Sequence, residues 1–259
     1  MSDVLDALAK DAIMTIKDGY YKTSKRKDYP HLSLRDAILS CRKAAIISEI
    51  KLKSPSASVL REGADLKQIS KDMENGGAVA ISILTEPKHF KGHVSFVPEV
   101  RDQVNVPILM KDIVLDPIQI EAASKTGANA ILLIQALFDR GYCEKDVDRI
   151  IEYSHTKGLE VLLEVHTKKE FLSAVGTEAD MVGVNNRDLR TLEVNLETTK
   201  RLLTGHDAEK KVIVSESGIE SREDIRLLRR YGAQAYLVGT AIMRANSIRK
   251  KVEELVEAL

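Results

Sequence analysis

Short apolar runs recur along this chain of 259 residues and alternate with longer, charged segments of helical period. Most runs are apolar at every position, which is typical of parallel strands covered on both faces. The pattern predicts eight strands, at residues 45–48, 78–84, 106–110, 130–134, 160–163, 181–184, 211–214 and 235–238. The segments between and after them predict helices at residues 66–75, 94–104, 117–126, 144–157, 168–175, 196–203, 221–231 and 247–258.

Strand–helix alternation sustained eight times predicts the α/β class and a single (β/α)8 TIM barrel over residues 1–259. A weak repeat supports the count, because Gly77, Gly127 and Gly232 each separate a predicted helix from the next predicted strand. An open doubly wound sheet is the alternative, but the Gly-x-Gly-x-x-Gly turn of its dinucleotide-binding form does not occur. Residues 1–43 predict an N-terminal helical extension, whose apolar stripe comprises Leu32, Leu34, Ile38 and Leu39.

The composition narrows the classes of partner. Lysine plus arginine and aspartate plus glutamate both number 39, so the chain lacks the basic excess that nucleic acids or anionic membranes attract. No stretch approaches the roughly 18 apolar residues of a membrane span, and the N-terminus lacks the pattern of a secretory signal. Two cysteines, Cys41 and Cys143, are too few for a secreted disulfide framework. We therefore expect a cytoplasmic protein that binds neither nucleic acid nor membrane, and we favour a monomer over an obligate oligomer.

Polar residues follow most of the predicted strands directly. One such residue can simply mark the point where a strand reaches water, but in a barrel the carboxyl ends of all strands converge on one ring, where these enzymes carry their chemistry. The fourth predicted strand runs instead into the apolar segment 134–137, which could form the wall of a ligand pocket. The polar residues are Glu49, Lys51, Thr85, Glu86, Lys111, Asp112, Glu164, Asn185, Asn186, Arg187, Glu216, Ser217 and Thr240.

The segments after the last two strands predict a phosphate site. Residues 216–219 read Glu-Ser-Gly-Ile and residues 238–240 read Val-Gly-Thr. They occupy the usual phosphate-binding position of these barrels. Glycine lets the backbone approach an anion closely, and exposed N–H groups at the start of a helix can bind it.

Four other strand-end residues, Glu49, Lys51, Lys111 and Glu164, predict general acid–base catalysis. Free lysine and glutamate side chains have pKa values of about 10.4 and about 4.3, so both types begin ionised. An ammonium group can protonate a carbonyl oxygen that becomes an alcohol, and a carboxylate can accept a proton. A ring of structural salt bridges is one alternative. A Schiff-base lysine is another, disfavoured because neighbouring carboxylates hold lysine charged. The histidines lack the clustered spacing of metal ligands, so no metal is expected.

Between about residues 44 and 244 the motifs resemble those of the indole-3-glycerol phosphate synthase family. The most specific are Glu-x-Lys-x-x-Ser-Pro-Ser at 49–56 and Asn-x-Arg-Asp-Leu at 185–189. The family converts 1-(2-carboxyphenylamino)-1-deoxyribulose 5-phosphate to indole-3-glycerol phosphate in tryptophan biosynthesis. It releases carbon dioxide and water and uses no cofactor. The resemblance therefore implies a carboxy-lyase with a small phosphorylated substrate.

The resemblance also implies roles for the catalytic residues. Lys111 would protonate the substrate ketone, and Lys51 would meet the anthranilate carboxylate and act as the second acid. Glu164 would accept a proton or stabilise a cationic intermediate. Glu49 and Asn185 would fix and polarise these groups, and Glu216 and Ser217 would hold the ribulose portion of the substrate. The implied substrate-binding residues are Ser54, Pro55, Leu84, Phe90, Leu132, Ile134, Arg187, Glu216, Gly218, Leu237, Gly239 and Thr240.

Two departures from the family pattern bear on this interpretation. Ile113 stands where many members have phenylalanine. Ala57-Ser58 stands where glycine or lysine is frequent in the loop 52–62, and we expect this loop to close over the site.

Two other functions are alternatives. Isomerisation of a related phosphorylated aminosugar would use a cysteine or aspartate pair, but Cys41 precedes the first strand. A non-catalytic phosphometabolite-binding protein would not need the four acid–base residues.

Overall fold

The computed structural model describes residues 3–24, 28–53, 63, 65–205, 208 and 211–259. Its strands are β1 (Ala45–Ile50), β2 (Ala80–Leu84), β3 (Ile108–Lys111), β4 (Ala130–Ile134), β5 (Glu160–Val165), β6 (Met181–Asn185), β7 (Val212–Glu216) and β8 (Ala235–Val238). Every strand pairs in parallel with its neighbours in chain order, and β8 pairs with β1. The sheet is thus a closed barrel, which confirms the predicted fold.

Helices surround this barrel, and the first two belong to the N-terminal extension. They are α1 (Val4–Lys17), α2 (Leu34–Ser40), α3 (Leu66–Asn75), α4 (Phe96–Arg101), α5 (Pro117–Thr126), α6 (Gln135–Asp139), α7 (Val147–Thr156), α8 (Lys168–Val175), α9 (Glu197–Leu203), α10 (Arg222–Tyr231), α11 (Thr240–Arg244) and α12 (Ile248–Val256). In the described part of the chain, none is long and apolar enough to cross a membrane. Cys41 and Cys143 are free.

Several strands extend further toward their carboxyl ends than the apolar runs predicted. Glu49 pairs with Ser82 in the register of β1 and β2, and Asn185 pairs with Glu216 in that of β6 and β7. Glu164 pairs with both Ile134 and Gly183. Glu49, Glu164, Asn185 and Glu216 therefore stand within the ends of strands, which gives them a rigid support, whereas Lys51 lies in the loop after β1.

The N-terminal extension consists of two helices. Leu34 and Ile38 of α2 are buried, but Leu39 is 49 % exposed, so its predicted place in the apolar stripe was wrong. Leu39 is rotated by about 100° from Ile38 around the helix, which carries it away from the buried face. Helix α1 is fastened at its start, because Arg140 donates to Asp3 and Asp6 at 2.8 Å each.

Other boundaries differ because local hydrogen bonds end or begin the helices. The predicted helix 94–104 is only α4, six residues long. Helix α7 begins later than predicted because the Asp146 side chain accepts the N–H of Arg149 and caps it. The five-residue helices α6 and α11 were not predicted, since a helical period cannot be recognised in so short a segment.

Candidate active site

A cavity of about 350 Å³ opens at the carboxyl ends of the strands. It brings together nearly all the residues predicted for the site, namely Glu49, Lys51, Leu84, Phe90, Lys111, Leu132, Ile134, Glu164, Asn185, Arg187, Ser217, Gly218, Leu237, Gly239 and Thr240. Glu216 is fully buried and does not line this cavity. The predicted residues Ser54 and Pro55, and most of the predicted closing loop 52–62, lie outside the described residues.

Five ionisable side chains from different strands form what we call the charged cluster: Glu49, Lys51, Lys111, Glu164 and Glu216. Glu49 contacts both lysines, with its Oε1 at 2.8 Å from Lys51 Nζ and its Oε2 at 3.7 Å from Lys111 Nζ. Lys111 Nζ donates to Glu216 Oε2 at 2.8 Å and lies 3.8 Å from Glu164 Oε2. Lys111 therefore stands among carboxylates from β1, β5 and β7.

The charged cluster fixes the protonation of its central groups. Burial works against a charge on Lys111, but the carboxylates of Glu216, Glu49 and Glu164 outweigh it and raise the pKa of Lys111. Burial likewise opposes ionisation of Glu49, but the two ammonium groups outweigh it and lower the pKa of Glu49. Lys111 is accordingly an ammonium at neutral pH. A nucleophilic amine, which a Schiff base requires, is disfavoured here.

The charged cluster has more negative than positive groups, and this excess affects the ionisation of Glu216. Three carboxylates and two ammonium groups give a net charge of −1 when all are ionised. Burial and repulsion by Glu164 and Glu49 raise the pKa of Glu216, although Lys111 opposes this shift. Its Oε1 has no hydrogen-bond partner among the described residues. Because its Oε2 accepts a hydrogen bond from Lys111, Glu216 can position the ammonium group.

Gly239 leaves space for the neighbouring side chain of Glu49. A Cβ atom at this position would lie 2.3 Å from Glu49 Oε1 and 3.1 Å from Glu49 Cβ. Glu49 Oε1 is the same atom that contacts Lys51. The sequence suggested only that Gly239 admits an anion, whereas the structure shows that it also leaves room for the charged cluster.

We expect Gly239→Ala to lower turnover about a hundredfold, because displacing catalytic groups by about 1 Å has an effect of this size. Steady-state kinetics with the substrate proposed below would measure it. Gly176→Ala is the matched control. Gly176 ends α8 in a right-handed conformation, and an added Cβ would meet only backbone oxygens, at 3.5 Å or more. Equal turnover in both variants would show that the contact with Glu49 is unimportant.

The turn after β7 has an uncommon backbone conformation. Ser217 and Gly218 have consecutive positive φ angles of 69° and 79°. Such a conformation is uncommon for serine, and strained residues of this kind concentrate at functional sites. Asn186 fixes the turn by donating from Nδ2 to the Ser217 carbonyl at 3.2 Å and to Ser215 Oγ at 3.0 Å. Thr240, on the next strand's loop, begins α11.

Two polar strand-end residues hold the structure around the cavity. Glu86 accepts the N–H groups of Lys88, His89 and Phe90, and so shapes the loop that carries Phe90. Asp112 accepts the Tyr21 hydroxyl at 3.0 Å, which ties the N-terminal extension to β3. Burial raises the pKa of Asp112 to about 6.

Several cavity residues were missed by sequence reasoning. They come from α1, from a loop closed by the bridge between Arg187 and Val194, and from α11. The loop residues follow the Asn-x-Arg-Asp-Leu motif, which was the available signal, whereas nothing in the sequence placed α1 over the barrel mouth. These residues are Val4, Leu8, Leu189, Leu192, Val194 and Arg244.

The fold and the site together define a class of protein. Ammonium and carboxylate groups on rigid strand ends face a cavity that also has an apolar wall, formed by Leu84, Leu132 and Leu237 among others. This arrangement can transfer protons to and from a small, partly apolar molecule. The protein is a TIM-barrel enzyme.

Comparisons with known proteins give the family. The profile described as indole-3-glycerol phosphate synthase matches residues 7–255. The chain is 38 % identical to the indole-3-glycerol phosphate synthase of Desulforamulus reducens, over 96 % of this chain and 92 % of that protein. It is 35 % identical to that of Bacillus cereus, over 98 % of both chains, and 42 % identical to that of Methanopyrus kandleri, over 87 % of both. The chain belongs to the indole-3-glycerol phosphate synthase family.

Solved structures of lower similarity share the fold alone. One is a thiamine phosphate pyrophosphorylase from Pyrococcus furiosus, with a TM-score of 0.60 and 17 % identity, covering 87 % of this chain and 97 % of that one. Another is an N-acetylmannosamine-6-phosphate 2-epimerase from Clostridium perfringens, with a TM-score of 0.63, 18 % identity and the same coverage.

Proposed function

We propose that this protein converts 1-(2-carboxyphenylamino)-1-deoxyribulose 5-phosphate to indole-3-glycerol phosphate in tryptophan biosynthesis, as a cytoplasmic monomer without a cofactor. The observation that carries the proposal is the position of Lys111. Its ammonium group is held charged by carboxylates of three strands and lines a cavity that has an apolar wall. Family membership supports the same activity.

The substrate binds with its phosphate at the ends of β7 and β8. Ser217, Gly218, Gly239 and Thr240 line that side of the cavity. Successive backbone N–H groups in a turn such as the left-handed one at residues 217–218 can bind an anion. Arg187 lines the cavity as well and provides a positive charge. The aromatic ring lies against the apolar wall, which comprises Leu84, Phe90, Ile113, Leu132, Ile134 and Leu237.

Ring closure is the first chemical step. The ring carbon that bears the carboxylate attacks the ketone carbon, and the ketone oxygen takes a proton from the Lys111 ammonium. A developing alkoxide is a much stronger base than an amine, so this transfer is favourable even from a lysine whose pKa is raised. The attack leaves a positive charge on the anilino group. Loss of carbon dioxide returns the electron pair of the broken C–C bond to the ring.

Dehydration completes the indole. The new hydroxyl leaves as water with a proton from Lys51, and Glu164 accepts the proton from the carbon next to nitrogen. One proton is consumed overall, because the substrate carboxylate leaves as neutral carbon dioxide. Before this step the Glu164 carboxylate also stabilises the cationic intermediate, and fixed charges in such sites contribute about 3–4 kcal/mol each.

The remaining residues position these groups. Glu49 holds both lysines through its two oxygens. Asn185 accepts the N–H of Arg187 at 2.9 Å and so directs the chain that carries the Arg187 side chain. Glu216, first predicted to bind the ribulose portion, is better suited to hold Lys111, since it is fully buried against that ammonium group.

The test is an assay of the purified protein with this substrate, which follows the fluorescence of the indole product and measures released carbon dioxide. We expect one equivalent of each per substrate consumed. Calorimetry should be run in parallel to show binding. Tight binding of the substrate without either product would refute the proposal and indicate a non-catalytic phosphometabolite-binding protein.

A further inference from the structure

His166 lies directly beyond the strand that carries Glu164. Glu164 and His166 are two residues apart, so at the end of β5 their side chains point to the same side. The His166 side chain is only 14 % exposed and does not line the cavity. It therefore stands behind the proposed proton acceptor, away from the substrate.

Each oxygen of Glu164 faces a different basic group. Its Oε2 lies 3.8 Å from Lys111 Nζ, and its Oε1 lies 3.5 Å from His166 Nε2. Among the described residues, Nε2 is buried and makes no hydrogen bond. A shift of about 0.5 Å would bring the pair to hydrogen-bond distance, and catalytic hydrogen bonds often tighten in this way when substrate binds.

A second carboxylate holds the histidine from the other side. Glu170 on α8 accepts the backbone N–H of His166 at 2.7 Å, and its Oε2 lies 3.7 Å from His166 Nδ1. Thr167 caps this helix by accepting the N–H of Glu170, which fixes the helix start where Glu170 stands. Glu170, His166 and Glu164 thus form a continuous row from α8 to the cavity.

We infer that His166 is a positioning residue, which links Glu170 to Glu164 and holds the Glu164 carboxylate in the orientation and charge state that proton transfer requires. The inference deepens the proposed function and rests on it. Sequence reasoning rejected the histidines as metal ligands, and none of the proposed reaction steps uses His166.

The charges around His166 favour its imidazolium form. Burial works against that form, but Glu170 and Glu164, together with Glu216 from β7, outweigh it and raise the pKa of His166. Lys111 on β3 is the cation of the charged cluster that contacts the other oxygen of Glu164. Because the pKa of His166 is raised, its positive charge persists to a higher pH than that of an ordinary histidine. The support it gives to Glu164 is present at lower pH and is lost as pH rises through the raised pKa.

The test compares kcat and KM of His166→Asn and Glu170→Gln with wild type across the neutral pH range. We expect His166→Asn to lower kcat by about ten- to a hundredfold with little change in KM, as for a displaced catalytic group. The fall of kcat as pH rises through the raised pKa of His166 should be absent from its profile, because asparagine carries no charge to lose. Glu170→Gln should move this fall to lower pH, because the carboxylate of Glu170 helps to raise the pKa of His166, and the double variant should behave like His166→Asn.

His155→Asn is the matched control. Its imidazole contacts Asp180 at 3.0 Å and is remote from the cavity, so its profile should match wild type. A wild-type profile in His166→Asn, or a raised KM with unchanged kcat, overturns the inference. If His166→Asn does not fold, an unshifted profile in Glu170→Gln overturns it equally. Absence of turnover in wild type would refute the proposed function and this inference with it.

Discussion

Lys111→Ala should lower kcat by about 10²–10⁴-fold, the size expected for loss of a general acid. The substrate ketone would then have no ammonium group to protonate its oxygen. Glu49, Glu164 and Glu216 would also lose the cation that all three contact. The measurement is steady-state turnover by indole fluorescence, with circular dichroism on the same sample. The fold must be checked because breaking a buried ion pair can cost about 3–5 kcal/mol of unfolding free energy.

Lys125→Ala is the control for this change. Lys125 forms an exposed pair with Glu121 on α5, and surface pairs of this kind contribute little. Turnover in that variant should be unchanged. A folded Lys111→Ala protein that works at the wild-type rate would show that another group protonates the ketone, and the role of Lys111 would be misassigned.

Glu164→Gln should lower the rate of indole formation by about 10²–10⁴-fold. Glutamine keeps the shape of the side chain but cannot accept the proton during dehydration. Since decarboxylation precedes that step, a single turnover should release carbon dioxide before indole fluorescence appears. In wild type the two signals should rise together.

The exposed residue Glu253, which contacts Arg249 on α12, provides the matching control as Glu253→Gln. It should leave both signals unchanged. If Glu164→Gln forms indole at the wild-type rate, Glu164 does not accept the proton. If carbon dioxide and indole are slowed together, Glu164 acts mainly on the cationic intermediate.

The fold was predictable because the relevant signal is local. Buried parallel strands are continuously apolar, and eight such runs at regular intervals leave few architectures. The positions of Glu49, Lys111 and Glu164 followed from the same rule, since the carboxyl ends of all barrel strands meet in one ring. Glu164 and His166 also carried a usable signal, because a spacing of two at a strand end places both side chains on one side.

Other features depend on contacts between distant parts of the chain. Val4 and Leu8 line the cavity, and the contacts of Arg140 hold the start of the helix that carries them. The contact of the buried Glu216 with Lys111 joins β7 to β3, and the need for glycine at 239 depends on where the Glu49 carboxylate lies. None of these leaves a periodic trace in the sequence.

The most direct test of the central claim is a crystal structure of the protein with indole-3-glycerol phosphate bound. We predict the phosphate at the turn of Ser217 and Gly218 and at the start of α11, with the indole ring against Leu84, Leu132 and Leu237. The ammonium groups of Lys51 and Lys111 should face the carbon atoms joined in ring closure. A product bound with its phosphate elsewhere, or with its indole ring remote from Lys111 and Glu164, would contradict the account.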